Sequence, residues 1–224
     1  LKETGQARKW YESAIAAMGK DEKNVRCAAT FSRLMQLEAG EKEEEKVRKL
    51  YTLAVSRIPE EPDFDYILGR YLASEGNYDE GSEYIGRAFE KLEKFGNRDR
   101  AMILGGDLPK ALEAMTVCSQ KAGKVDECIQ YGRCLLQENP YEMGTLVAVL
   151  KAFLMSEKEA AVSAENFLHR IYGDRKPLKA TLFCLRAAKE IGWEELENKI
   201  YGWLTKEEAF CLKAALGKEN GKWE

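Results

Sequence analysis

The chain holds 224 residues, enough for one or two units with a buried core, and its 45% hydrophobic and 33% charged composition with five prolines is globular and loop-poor rather than disordered. Thirty-five Lys and Arg against 38 Asp and Glu leave a net charge of −3, so no bulk attraction to nucleic acid or anionic lipid is expected. No stretch approaches the roughly 20 apolar residues of a membrane helix and no charged-then-apolar leader opens the chain, which points to a soluble, cytoplasmic protein without membrane insertion.

From the N-terminus, Ala7, Tyr11 and Ala14 step by four and three along a helix, in the order small, large, small. The same step returns as Val47, Tyr51 and Ala54, then as Gly81, Ile85 and Ala88, at offsets of 40 and 34 residues. The six extra residues of the first interval fit into the Gly19 to Asn24 and Gly40 to Glu45 connections, and Pro59 closes the second unit five residues after Ala54. The best-formed stretch runs from Tyr66 to Ala88. Leu68 and Leu72 lie four apart on a first helix, Glu75-Gly76-Asn77 forms a turn, and Gly81, Ile85 and Ala88 mark a second helix with small residues where the backbones must approach. Gly76 is placed to end the first helix in a left-handed cap, with Tyr78 covering the turn.

A looser version follows: Gly123-Lys-Val125-Asp-Glu-Cys128-Ile-Gln-Tyr131, closed by Pro140. Cys128 stands 47 residues after Gly81, so about 13 residues are inserted, and Phe95 to Asp107 contains them. Gly132 and Leu135 then reverse the large and small positions. Beyond Pro140 come Leu146, Leu150 and Phe153, then Ala164, Leu168 and Ile171, then Leu178, Leu182, Leu185 and Ala188. Gly192 marks a turn, and Trp193, Leu196, Ile200 and Trp203 line one more helix. Thr205 with Glu208 forms a capping box for a last helix through Leu216, stopped by Gly217. No window alternates as a strand does. The expected fold is therefore all-α, a solenoid of antiparallel helix hairpins with a C-terminal capping helix; residues 1–140 carry the repeats, and 141–224 are degenerate repeats and cap, continuous with the first part.

Leucine then glycine on the first helix, glycine and tyrosine at the turn, and small, large, small on the second resemble a tetratricopeptide repeat, over roughly residues 5 to 140 and weakly beyond. The resemblance implies a non-catalytic scaffold for protein contacts, with a concave groove lined by the first helix of each hairpin. Carried over through Leu68 and Gly69, the groove positions are Asp63, Tyr66, Arg70 and Ala73; through Phe31 and Leu34 they are Ser32, Gln36 and Ala39; in the fourth repeat they are Glu113, Val117 and Gln120. The set is mixed polar and small and contains one cation, Arg70, which suits a peptide or protein segment better than a dedicated carboxylate clamp. The motif-rich part, with its Tyr66-Ile-Leu-Gly-Arg-Tyr-Leu and Gly76-Asn-Tyr-Asp-Glu-Gly stretches followed by a long looser helical tail, also resembles the repeat region behind the catalytic domain of some bacterial family 2 glycosyltransferases. Leu1 stands where an initiator methionine is expected and Ala7, Tyr11 and Ala14 lack a first helix before them, so the chain is expected to be cut from a longer protein and to contact the missing catalytic domain. Two other readings remain open: a small ligand or sugar acceptor held by Tyr66, Arg70 and Glu113, and a self-association module signalled by an exposed Trp193 or Trp203.

No catalytic residue, metal or cofactor is expected. The chain has no GxSxG, no HExxH and no Gly-rich loop after a strand, and its one histidine, His169, has no specified partner. The cysteines at 27, 118, 128, 134, 184 and 211 form no CxxC pair and stand far from that histidine for the most part, so they are expected as reduced thiols. Gly105-Gly106-Asp107 leads into Leu108-Pro109 and reads as a helix start; Asp63-Phe-Asp65 follows Pro62 at another. Glu41 to Lys46 is expected as a solvated helix start, and His169-Arg170, Arg175, Lys176 and Lys179 as ordinary surface.

Overall fold

The computed structural model describes residues 2–19, 25–95, 103–156, 159–174 and 177–211. Every regular element among them is helical: α1 (Lys2–Ala17), α2 (Val25–Gly40), α3 (Glu44–Arg57), α4 (Pro62–Ser74), α5 (Tyr78–Phe95), a 3-10 turn (Gly105–Asp107), α6 (Leu108–Lys121), α7 (Val125–Glu138), α8 (Met143–Met155), α9 (Ala160–Tyr172), α10 (Leu178–Glu190) and α11 (Glu194–Tyr201), with residues 206–211 helical after them. The all-α expectation holds, as stacked antiparallel hairpins. The chain divides into two compact units, Leu1–Ala122 and Gly123–Glu224, a packing boundary that lies upstream of the motif boundary at 140.

Three hairpin turns are built the same way. The left-handed residue is Lys42 (φ 60°), Gly76 (φ 89°) and Gly192 (φ 70°), and the next residue's N–H reaches five back, Glu43 to Glu38 at 3.1 Å, Asn77 to Leu72 at 2.9 Å and Trp193 to Ala188 at 3.0 Å. This bond satisfies a carbonyl that the helix end leaves without a partner, and the left-handed residue turns the chain back on itself. Gly76 and Gly192 take that conformation at no steric cost, whereas Lys42 carries a Cβ there. Glu159 before α9 is also left-handed (φ 51°).

In the first unit α1 packs on α2, α2 on α3 and α4, α4 on α5, and α5 on α6. The tightest seam is α4 against α5. A Cβ built on Gly69 would lie 2.8 Å from the Gly81 carbonyl oxygen and 2.9 Å from the Ile85 nitrogen, so only glycine lets the two backbones meet here. Phe31, Phe64, Leu68, Leu72 and Ile85 are fully buried around it, each burial contributing roughly 1.5–3 kcal/mol. Asp65, also buried, ties three helices together: it accepts a hydrogen bond from the Tyr51 hydroxyl of α3 at 2.9 Å and an ion pair from Lys91 of α5 at 2.5 Å. Burial, with the Asp65 charge beside it, pushes the Tyr51 phenol well above its ordinary range. Arg48 joins α3 to α5 through two 2.8 Å bonds to Glu80.

In the second unit α7 packs on α8 and α9, α8 on α9 and α10, α9 on α11, and α10 on α11. Residues 145 to 150 of α8 are buried without a break, as expected of a helix apolar on all sides. Glu142 caps that helix, accepting from the Gly144 and Thr145 amides.

Several details depart from the sequence pattern. Ala14 is exposed and Ile15 takes its place in the core, where α1 packs on α2. Leu178 and Leu182 are exposed at 43% and 38%, and α10 instead buries Ala180, Thr181, Cys184, Leu185, Ala187 and Ala188. Cys27, Cys118, Cys128 and Cys184 are buried thiols; burial pushes Cys128 up to about 12, while Cys134 and Cys211 are exposed. The capping box forms as expected, with the Thr205 amide donating to Glu208 at 2.9 Å and the Glu208 amide to the Thr205 hydroxyl at 3.2 Å. Its expected end at Leu216 and Gly217 lies outside the described residues.

Candidate functional site

The exposed side of α2 and α4 holds a pocket of about 320 Å³. Gln36 and Ala39 of α2 form one wall; Tyr66, Ile67, Arg70, Tyr71 and Ser74 of α4 form the floor and the other wall; Ile103, from the inserted segment, closes one end. The geometry follows from helical spacing, since 66, 70 and 74 lie along one stripe of α4 and 36 and 39 along one stripe of α2. Tyr66 is 2% exposed, so its ring serves as an apolar floor. The Arg70 guanidinium lies 5.7 Å from the centre of that ring, is exposed, and has no ion-pair partner among the described residues. Tyr71 is buried beside it, and burial, with Glu75 adding to it, raises its phenol above the ordinary range.

Asp63 lies one turn below Tyr66 and is 2% exposed. Its carboxylate accepts the Ile103 amide at 3.0 Å and the Leu104 amide at 2.9 Å, and Leu104 is fully buried behind that contact. A carboxylate receiving two backbone N–H groups is a strong, charge-assisted anchor. Asp63 therefore fixes the inserted segment against α4 and shapes the pocket from beneath, rather than standing open to solvent. Glu61 caps α4 from just upstream, accepting the Asp63 amide at 3.4 Å. Pro62 at the first helical position explains why Asp63-Phe-Asp65 sits on the opening turn. After the 3-10 turn, α6 begins at Leu108 with Pro109 in its first turn.

Of the groove positions expected from the sequence, the structure gathers Gln36, Tyr66 and Arg70 in the pocket, together with Ala39. Ser32 is 3% exposed inside α2, and Ala73 is half-buried on α4. Glu113, Val117 and Gln120 are half-buried on α6 and do not line this pocket. Ile67, Tyr71, Ser74 and Ile103 line it without having been singled out. The first three flank the expected positions on the same helix; Ile103 belongs to no repeat, so periodicity carries no signal for it.

A second polar cluster lies in the second unit. The Trp203 indole N–H donates to one Glu165 oxygen at 3.0 Å and the Lys199 ammonium to the other at 3.0 Å. Burial works against the Glu165 charge, but the Trp203 and Lys199 hydrogen bonds outweigh it and hold the carboxyl below its usual range. His169 packs edge-on to Trp203 at 5.3 Å, with Nδ1 3.5 Å from Asp174. Trp193 is buried at 6% and Trp203 is half-buried, so neither is an exposed tryptophan. Arg175 and Lys176 lie outside the described residues. Among the described residues no group of three His, Cys, Asp or Glu side chains could hold a metal ion, and no helix is long and apolar enough to cross a membrane.

No protein-family model matches the chain, and no curated protein matches it. Among solved structures it is similar to one described as a functional characterization of PilF from Pseudomonas aeruginosa, at 14% identity, covering 96% of this chain and 90% of that one with a TM-score of 0.52. PilF is a tetratricopeptide-repeat protein, and at this identity the likeness is one of fold: this chain has a tetratricopeptide-like helical-hairpin fold.

Proposed function

We propose that the chain is a helical-repeat scaffold that holds a segment of another protein, with the α2/α4 pocket as its point of engagement. The observation that carries this reading is the pocket itself, in which an exposed guanidinium, an amide side chain and an aromatic floor converge on rigid helices. Gln36 offers donor and acceptor to a peptide backbone, Arg70 pairs with an acidic or carbonyl group, and Tyr66 with Ile103 receives an apolar side chain. Shape and hydrogen bonding select the segment, and no bond is made or broken. By its resemblance the scaffold acts as an accessory region of a larger bacterial protein such as a family 2 glycosyltransferase, working in the cytoplasm, where its thiols stay reduced.

A test is to pan a displayed random peptide library against the whole chain and titrate the recovered peptides against variants. Arg70→Ala and Gln36→Ala should each weaken binding by about fivefold or more, on the scale of a lost charge-assisted or neutral hydrogen bond, with the melting temperature unchanged. Recovered peptides that bind both variants as they bind the parent would rule the pocket out.

The size of the pocket and its tyrosine floor also favour a second reading, a small polar ligand such as a sugar acceptor. Calorimetric titration of oligosaccharides separates the two: saccharide binding lost in Arg70→Ala, without peptide binding, selects the second.

A further inference from the structure

Ile103 is the one residue lining the first unit's pocket that belongs neither to α2 nor to α4. It stands between α5 and the 3-10 turn, in the stretch that the repeat period does not account for. The floor is fixed by helix packing: Tyr66, Ile67 and Tyr71 are 2%, 5% and 5% exposed, and moving them would disturb the close-packed interior of the hairpins. Ile103 reaches its place by another device. Its amide and that of Leu104 donate to the Asp63 carboxylate at 3.0 and 2.9 Å, while its half-buried side chain both packs on the core of the first unit and lines the pocket.

Asp63, Tyr66, Ile67 and Arg70 share one stripe of α4, at steps of three, one and three. The clasp therefore sets an aliphatic side chain toward the start of α4, one turn before the Tyr66 floor, with the Arg70 cation two turns further on. Gln36 and Arg70 read hydrogen-bonding groups, and Ile103 reads bulk. At about 320 Å³ the pocket lies at the small end of the roughly 300–1,000 Å³ of ligand sites, so one side chain in its wall is a large share of the space.

We infer that Ile103 sets the size of the apolar side chain that the pocket accepts, and that Asp63 is the positioning residue that holds Ile103 there. The inference rests on the peptide-binding reading proposed above. The space left beside a tyrosine ring and two isoleucines takes a valine or leucine side chain and turns away tryptophan by overlap. Asp63 acts only through the Ile103 and Leu104 main chain, where charge-assisted bonds to a buried carboxylate fix the wall. Because Ile103 lies outside the helix hairpins, this selectivity belongs to the inserted residue and not to the repeat.

The test uses the full chain and peptides panned on it from a displayed random library. These are resynthesised with a fluorescein label and with Val, Leu, Phe or Trp at their apolar position, and read by fluorescence anisotropy. The parent should bind the Val and Leu forms about tenfold more tightly than the Trp form. Ile103→Ala should erase or reverse that preference, and Ile103→Phe should extend it to rejection of Leu. Asp63→Asn should erase the preference while Arg70→Ala still weakens binding about fivefold in that background. Combining Asp63→Asn with Ile103→Ala should change the preference no further than either alone, because both act at one place. A merely structural Asp63 would weaken all four forms alike and leave their ratios intact. The Ile103 variants keep the main-chain clasp, so they decide the size reading even where Asp63→Asn fails to fold. Equal binding of the Val and Trp forms by the parent, or an unchanged ratio in Ile103→Ala, overturns the inference; an unchanged ratio in a folded Asp63→Asn, or additive effects in the double variant, overturns the role of Asp63. Peptides weakened by Arg70→Ala but indifferent to Ile103 remove this inference alone, whereas peptides indifferent to Arg70 and Gln36 remove the pocket reading with it.

Discussion

The α4/α5 hairpin of the first unit and the α8/α9 hairpin of the second solve the same packing problem with opposite materials. At the eighth residue of α4 stands Gly69, pressed so closely on Gly81 and Ile85 that no Cβ fits; at the eighth residue of α8 stands Leu150, fully buried. One hairpin gains stability from close backbone approach, the other from side-chain volume, with Phe153 of α8 packed edge-on to Phe167 of α9 at 5.6 Å. A repeat motif written in glycines is therefore strong evidence for a hairpin, but a hairpin does not need it.

Exchanging the materials should break each hairpin. Gly69→Leu, which forces a side chain into the Gly81 backbone, should cost roughly 3 kcal/mol or more in the first unit, read as a drop in the urea midpoint. Leu150→Ala should cost about 3 kcal/mol by leaving a cavity in the second. An unchanged melting curve for Gly69→Leu would refute the register on which the groove positions rest.

The two units can also be separated by acid. Glu165 is held below its ordinary carboxylate range in the folded chain, so the stability it contributes is fully present above the unfolded value of about 4.3 and is lost as pH falls through the lower folded one. Glu165→Gln should accordingly flatten the acid limb of stability below about pH 4.5, measured as Tm against pH. A parallel acid limb in variant and parent would show that Trp203 and Lys199 contribute nothing through this charge.

The smallest effect is expected at the turns. Lys42 occupies the left-handed position that glycine holds at 76 and 192, and Lys42→Gly should stabilise the chain by about 0.5–1 kcal/mol, reduced by the greater freedom of glycine when unfolded. Lys42 pairs with Glu75 at 3.1 Å, but with Lys42 73% exposed that pair offsets little of the gain.

The hairpins, their turns and the terminal capping box were legible in the sequence because each depends on residues close together in the chain: a glycine after the helix, a step of three or four, a threonine followed by glutamate. Gln36, Tyr66 and Arg70 were named by another route, as groove positions that the tetratricopeptide resemblance implies, carried over through Leu34 and Leu68. What the sequence could not disclose was the fate of Asp63 and the role of Ile103. Forty residues separate them, the inserted segment follows no period, and an aspartate that binds two backbone amides looks the same in a sequence as one that faces a ligand. Leu178 and Leu182 are exposed on α10, and a leucine at helical spacing reads the same in a sequence whether or not another helix covers it.

The clasp between Asp63 and the Ile103 and Leu104 amides gives the pocket one wall that is replaceable. Every other wall is a helix whose residues also serve the hairpin packing, so changing them disturbs the stack. Ile103 carries less of that obligation: held through its main-chain amide, it can vary in side chain while the same carboxylate keeps it in place and buried Leu104 anchors it from behind. Specificity in such a scaffold can diverge between descendants by rewriting one loop, without touching the repeats that keep it folded.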